Sequence, residues 1–332
     1  MGFLRNDAGD VIPPYGGERF PWIGADLQTV RHFLRRDAPT PEDGETVLID
    51  LDDGDRLLAA FHPARGQHSK GCVIAVHGLA GCMDAQHICW LLPDILAAGY
   101  SCLRINMRGA GPARPLARKS YSAVAGGDLV PFIEAAAVRD PDAPLFMMAH
   151  SLGGTAALNM ALDHPQAAAR LAGMAVVGTP LDMVATAARF RAWRNRVYAG
   201  YMLRALKDIA GGVPAPDPHQ LAAAHAARSI TAFDDHVTAP MAGYPDSAAY
   251  YAAASVQDRM TDIGIPLLVL QGSNDPWVPA AQCLALPVPA DPLSGLSVVV
   301  TRGGGHVGFH DDRLNWQNRA TLAWCDAISA RG

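Results

Sequence analysis

A serine hydroxyl is a weak nucleophile until a base takes its proton, and the base needs an anion to fix its tautomer. Three residues of this 332-residue chain have the types and the order for that chemistry: Ser151, Asp275 and His306. Ser151 stands in Ala149-His150-Ser151-Leu152-Gly153, after the apolar run 144–148 and before the helix-forming stretch 155–162. A strand, a serine between small residues and then a helix predict a nucleophile elbow, a turn so tight that the positions two before and two after the serine must be small. Gly153 meets that demand, and Ala149 replaces the commoner glycine while staying small. Asp275 follows the apolar run 266–270, and His306 follows the run 296–300 inside the glycine-rich string Arg302-Gly303-Gly304-Gly305-His306-Val307-Gly308. Each of the three is thus expected just past the C-terminal end of a strand, in the chain order Ser…Asp…His.

Asp182, just after the run 173–177, is a rival acid, although its place suits the cap of a following helix better. Two backbone N–H groups are expected to hold the oxyanion of a tetrahedral intermediate. One is that of Leu152 at the helix start; the other is that of Leu79 in the loop Val76-His77-Gly78-Leu79-Ala80-Gly81. Each such donor is typically worth ~2.7–4 kcal/mol of transition-state stabilisation. His77 reads as a buried histidine fixing that loop, His150 as a locally bonded neighbour of the nucleophile, and His87 and His310 as surface or pocket-rim residues. No His, Asp or Glu spacing resembles a zinc site, and neither Arg108-Gly109-Ala110-Gly111 nor residues 303–305 match a phosphate loop. The chemistry needs no cofactor and no metal.

The elements that must position these residues are legible from the pattern. Residues 1–44 are rich in Pro and Gly and read as an arm laid on a domain, with one short helix near 26–35. Residues 46–50 and 56–61, joined across Asp53-Gly54, predict a hairpin. The apolar runs 72–76, 101–105, 144–148, 173–177, 266–270 and 296–300 are of the buried, parallel kind. Helical stretches at 84–98, 128–138, 152–162 and 315–329 separate or follow them, which predicts an α/β fold with a mostly parallel sheet. Residues 45–180 and 262–332 would form its core.

Residues 181–261 carry no convincing strand and read as a helical cap over the C-terminal edge of the sheet, with a break at 211–216. Phe190, Trp193, Val197 and Tyr201 fall three or four apart, among Arg189, Arg191, Arg194, Arg196, Arg204 and Lys207. One reading is a single amphipathic lid helix with its apolar stripe buried and its arginines solvated. The other is an apolar acyl-chain tunnel whose basic rim attracts anionic lipid or acyl-phosphate groups.

Half of the residues are hydrophobic and 18% are charged, the net charge is −5, and no apolar run approaches the ~20 residues of a membrane span. These values exclude a nucleic-acid binder and a membrane-inserted protein. The N-terminus lacks the apolar core of a signal peptide, and Asn6 stands where a myristoylation signal wants Ser or Thr. The six cysteines form no C-x-x-C pair, so buried free thiols in a cytoplasmic protein are expected.

The chain resembles the YheT-like branch of α/β-hydrolases, a group of bacterial esterases with related lipid esterases and alcohol acyltransferases. The likeness is carried by Gly24-Ala25-Asp26-Leu27-Gln28-Thr29, His77-Gly78-Leu79-Ala80-Gly81, Arg108-Gly109-Ala110-Gly111 and Ser151-Leu152-Gly153-Gly154. Phe233-Asp234-Asp235, Gly243-Tyr244, Tyr250-Tyr251, Asp275-Pro276 and Gly304-Gly305-His306-Val307-Gly308-Phe309 complete it. The resemblance implies an eight-stranded sheet with a helical cap between strands six and seven, and a triad on Ser151, Asp275 and His306. It also implies a small-molecule substrate, a short- to medium-chain acyl ester or a lipid-like ester, with water or an alcohol as acyl acceptor, and peripheral lipid contact at most. Ala80 and Ala149 depart from the family's Glu and Gly, and Asp234 with Asp235 read as an acidic pair anchoring the cap. Phe190, Trp193, Trp277 and Phe309 are the expected substrate contacts. A binding protein on the same fold, with a disabled triad, is the alternative from another functional class.

Overall fold

The computed structural model describes residues 2–66, 68–214, 216–288, 291 and 293–331. Its centre is a nine-stranded sheet, because the short apolar runs can satisfy their backbone groups only beside one another. The strands are β1 (Phe3–Asn6), β2 (Glu45–Asp50), β3 (Arg56–His62), β4 (Cys72–Val76), β5 (Ser101–Asn106), β6 (Leu145–His150), β7 (Leu171–Val177), β8 (Leu267–Gly272) and β9 (Leu296–Thr301). They lie in the order β1-β9-β8-β7-β6-β4-β5-β3-β2. β4 to β9 pair in parallel, and the β2–β3 hairpin joins antiparallel through β3 on β5.

The expectation of eight strands misses β1, which the arm contributes antiparallel to β9, Phe3 facing Thr301. Its four residues have no periodicity of their own; their partners hold them. Arg5 donates from Nη1 to the Leu286 carbonyl at 2.6 Å and pairs with Asp7 at 2.7 Å, while the Asp7 N–H donates to the Val298 carbonyl at 3.0 Å.

Alternation along β6 divides the core. Phe146 and Met148 pack with α2 (Gln86–Ala97) and the C-terminal helix (Trp316–Ser329), through Ile88, Leu91, Trp316 and Trp324. Met147 and Ala149 face the other side, against α3 (Val130–Arg139) and α4 (Leu152–Asp163). Burying each large side chain contributes roughly 1.5–3 kcal/mol, so two such layers hold the strand ends at a fixed level. Arg108 locks the hairpin to this frame through ion pairs with Asp53, Asp55 and Asp128 at 2.7, 3.1 and 2.6 Å.

Between β7 and β8 the described residues form helices and turns, including α5 (Met183–Arg191), α6 (Arg196–Gly211), α7 (Pro218–Ala226) and α8 (Ser247–Ala254). Asp182 caps α5, accepting from the Ala185 N–H at 2.9 Å. Asp234 is buried and accepts from the Tyr251 and Thr238 hydroxyls, both at 2.6 Å; burial pushes its carboxyl up to about 6. Asp235 accepts from the Ser247 N–H at 2.9 Å. α6 ends at Gly211, where the break at 211–216 begins, although Ala215 of that stretch lies outside the described residues.

The single lid helix expected through Phe190 and Tyr201 is instead two helices. The chain turns at Ala192, whose φ of −60° and ψ of 139° are extended. The physical cause is Asn195, fully buried, whose Nδ2 donates to the Arg189 and Pro276 carbonyls at 2.9 and 2.8 Å. The turn rotates the stripe outward: α6 buries Met202 and Leu206, while Trp193, Val197 and Tyr201 are more than half exposed.

Candidate active site

Ser151 closes β6 and opens α4 with φ 52° and ψ −127°, a strained backbone that β-branched or bulky residues resist. The elbow's demand for small neighbours is visible at Gly153, where an added Cβ would stand 2.1 Å from the His77 carbonyl oxygen. The Ser151 N–H donates to the Val177 carbonyl at 2.9 Å, which pins the turn to β7. Its hydroxyl lies 2.9 Å from His306 Nε2, and His306 Nδ1 lies 2.8 Å from Asp275 Oδ2. With the proton on Nδ1 donated to the carboxylate, Nε2 is left to accept from the serine.

Asp275 is held by three further donors. Its Oδ1 accepts from the N–H groups of Trp277 and Val278 at 2.8 and 2.9 Å, and its Oδ2 from Gln271 Nε2 at 3.0 Å. These bonds fix the carboxyl group in place, with Oδ2 aimed at the imidazole it orients. Asp182, the rival acid, is occupied in capping α5 and is bound to neither His306 nor Ser151 among the described residues.

The glycine-rich loop that carries His306 runs through positive φ at Gly303, Gly304 and Gly305. Side chains from elsewhere staple it. Thr29 Oγ1 accepts from the His306 N–H at 2.9 Å, Asn274 Oδ1 from that of Gly305 at 2.8 Å, and Glu18 Oε1 from that of Gly304 at 3.0 Å. Gln28, fully buried on α1 (Ala25–Arg35), grips the loop's far end by accepting from the His310 N–H at 2.7 Å and donating to its carbonyl at 3.0 Å. Sequence reasoning assigned none of these four a role at the site. Their only signal was the Gly24–Thr29 stretch and the position of Asn274 beside Asp275.

Gly78 abuts the nucleophile: a Cβ there would meet that of Ser151 at 3.0 Å. The following N–H groups of Leu79 and of Leu152 make no hydrogen bond among the described residues, and both residues line the cavity described below. The loop is shaped by His77, which donates from Nδ1 to the Gly78 carbonyl at 2.8 Å and accepts at Nε2 from the Met107 N–H at 3.1 Å. Tyr121 completes it, accepting the Ala80 N–H at its hydroxyl at 2.7 Å and packing edge-on against the His77 ring at 5.6 Å. Ala80 itself has φ 59°. His150 donates from Nδ1 to the Val76 carbonyl at 3.2 Å. Burial holds both His77 and His150 down at about 4, so each is neutral at pH 7.

A cavity of about 1210 Å³ opens over Ser151 and His306. Phe190, Met202, Leu206, Phe233, Val237 and Trp277 are among its apolar lining residues. Phe190 and Trp277 meet at 5.6 Å with their rings tilted by 40°, and the Trp277 ring lies 4.3 Å from that of His306. Two expected substrate contacts lie elsewhere. Phe309, at φ 48°, is fully buried behind the glycine loop, against Trp316 at 5.9 Å; the reversed backbone turns its ring into the core. Trp193 is 77% exposed outside the cavity, with Arg196 stacked on it at 4.8 Å, because the Ala192 turn swings it outward. His310, expected at the surface or pocket rim, is 1% exposed and meets His32 edge-on at 4.4 Å. His87 does line the cavity.

Residues 71–313 match the family model for the alpha/beta hydrolase fold, and the chain belongs to the α/β-hydrolase family. Within it, the chain is 27% identical over 271 residues to YheT of Escherichia coli (strain K12), an esterase by name, covering 79% of this chain and 77% of that one. It is 28% identical over 275 residues to medium-chain fatty acid ethyl ester synthase/esterase 2 of Saccharomyces cerevisiae, covering 75% of this chain and 60% of that one. Among solved structures, a soluble variant of monoglyceride lipase from Saccharomyces cerevisiae shares the fold at TM-score 0.57 and 15% identity, over 87% of this chain and 97% of that one. The YheT-like resemblance read from the motifs agrees with these relatives. Among the described residues, no helix is long and apolar enough to cross a membrane.

Proposed function

We propose that the chain is a serine carboxylic-ester hydrolase that works through an acyl-enzyme on medium-chain or lipid-like esters. The observation that carries the reading is the unbroken hydrogen-bonded relay from Ser151 through His306 to Asp275 at the wall of an apolar cavity. In this mechanism Ser151 Oγ attacks the ester carbonyl carbon while its proton passes to His306 Nε2, and Asp275 steadies the imidazolium. The N–H groups of Leu79 and Leu152 receive the oxyanion. The tetrahedral intermediate collapses, His306 returns the proton to the departing alkoxide, and the acyl group stays on Ser151. Water then gives its proton to His306 and attacks the acyl carbon, which releases the acid and restores the serine.

The helical stretch 181–261 acts as the cap that encloses the acyl chain, with Phe190 and Trp277 as the contacts nearest the reacting carbon. The cavity exceeds the ~300–1,000 Å³ of common small-ligand pockets, which supports an extended acyl group. Six free thiols, five of them buried, support a cytoplasmic location. A p-nitrophenyl ester series of graded acyl length tests the reading. The highest kcat/KM is expected at medium chain length, and a preference for acetate with loss of activity beyond it would contradict the proposal.

Similarity to the yeast ester synthase/esterase favours one second reading, transfer of the acyl group to an alcohol in place of water. Product analysis with ethanol present separates the two, because a transferase yields the new ester as its main product.

A further inference from the structure

We propose that the outer face made by α1 and the start of α6 docks on an anionic lipid surface, holding the mouth of the cavity against it. Trp193, Val197 and Tyr201, four residues apart, are 77%, 75% and 55% exposed. Leu27, Phe33 and Leu34 of α1 are exposed beside them. The two rows are fastened together: Arg194 pairs with Asp26 at 2.9 Å, the Tyr198 hydroxyl donates to Asp26 at 2.9 Å, and Phe33 meets Tyr201 edge-on at 5.7 Å. Apolar surface gathered in this way on a soluble domain marks an interaction site.

Charge selects the occupant. The segment 189–207 holds six cations and no carboxylate, in a chain whose net charge is −5. Arg191, Arg196 and Arg204 are exposed and make no ion pair among the described residues. The carboxylates of α1 and its end are already engaged, Asp26 by Arg194 and Asp37 by Arg35 at 2.6 Å. An exposed tryptophan amid aliphatic groups with a basic surround is the composition that settles into an anionic headgroup layer. A second copy of the chain, paired through the same face, would set these cations against one another. The face is also continuous with the site, since Phe33, Arg196, Val197 and Tyr201 line the cavity as well. A lipid ester lifted from the surface therefore enters beside its docking residues. The docking stands on the surface alone; its use in substrate delivery rests on the ester-hydrolase reading above.

Co-sedimentation with vesicles tests the proposal, using phosphatidylcholine alone and phosphatidylcholine mixed with phosphatidylglycerol. The protein is expected to sediment with the mixed vesicles only, and to be released by salt. The double variant Trp193→Ser/Leu34→Ser, and separately Arg204→Glu, should each weaken binding about tenfold. Hydrolysis of soluble p-nitrophenyl butyrate should stay unchanged in both, because none of the three residues lines the cavity. Ser151→Ala should bind the vesicles as the natural chain does. Equal binding to both vesicles, undiminished binding by the double variant, or a dimer in solution that shields Trp193 would overturn the proposal. Vesicle binding without any ester hydrolysis would leave the docking standing and remove the ester reading. Hydrolysis of the soluble ester without vesicle binding would do the reverse.

Discussion

Replacing Tyr121 by phenylalanine deletes one oxygen and leaves the ring against His77. That oxygen accepts the Ala80 N–H at 2.7 Å, and the tyrosine that carries it is only 7% exposed. An orphaned buried N–H costs about 1–3 kcal/mol. The loop from Gly78 to Gly81 can relieve this by shifting, and the proposed donor at Leu79 would move with it. The full worth of one oxyanion donor, ~2.7–4 kcal/mol, bounds the damage from above. We therefore expect kcat to fall about tenfold to a hundredfold with KM little changed, since the ground-state ester makes weak use of that donor. Urea unfolding should show a loss of about 1–3 kcal/mol in the same variant. Steady-state kinetics on a p-nitrophenyl ester, beside the urea curve, separate the two effects. A variant that loses stability but keeps its kcat would refute the link between Tyr121 and the oxyanion loop.

Asp275→Asn should lower kcat about 10⁴-fold while Asp182→Asn, which weakens only the cap of α5, lowers it less than about threefold; the reverse ranking would make Asp182 the acid. Acid should destabilise the fold between about pH 6.5 and 4, because His77 and His150 are held near 4 when folded and titrate near 6.5 when unfolded, so the unfolded chain binds more protons there. Asp234 has the opposite sign: its carboxyl, raised to about 6, contributes stability below the unfolded value of 3.8 that is lost as pH rises through 6. Asp234→Asn should accordingly steepen the acid loss between pH 4 and 6, and thermal melts across that range check both signs; an unchanged slope would contradict the burial of Asp234.

The sheet was legible because strands buried on both faces must be largely apolar, as β4 is along its whole length and as β6 and β8 are until their C-terminal ends. The elbow was legible because steric crowding at Gly153 leaves a mark in composition. β1 was not, since its pairing with β9 comes from contacts nearly 300 residues away in sequence. The outward stripe was hidden for a related reason. Three-and-four spacing from Phe190 to Tyr201 fits a continuous helix, and only the buried bond from Asn195 to the Pro276 carbonyl shows why the chain turns. Phe309 and His310 were misplaced because Val307 and Phe309 take positive φ, which breaks any rule relating spacing to side-chain direction. Tyr121, Glu18 and Thr29 act on the site across 41, 286 and 277 residues, distances over which no local pattern exists.

The most direct measurement is covalent labelling with a fluorophosphonate probe, followed by mass spectrometry of the modified peptide. A nucleophilic Ser151 activated by His306 predicts one adduct, on Ser151, lost in Ser151→Ala together with about 10⁶ of kcat and strongly slowed in His306→Gln. Folded protein that stays unlabelled at Ser151, or Ser151→Ala that keeps its esterase activity, would contradict it.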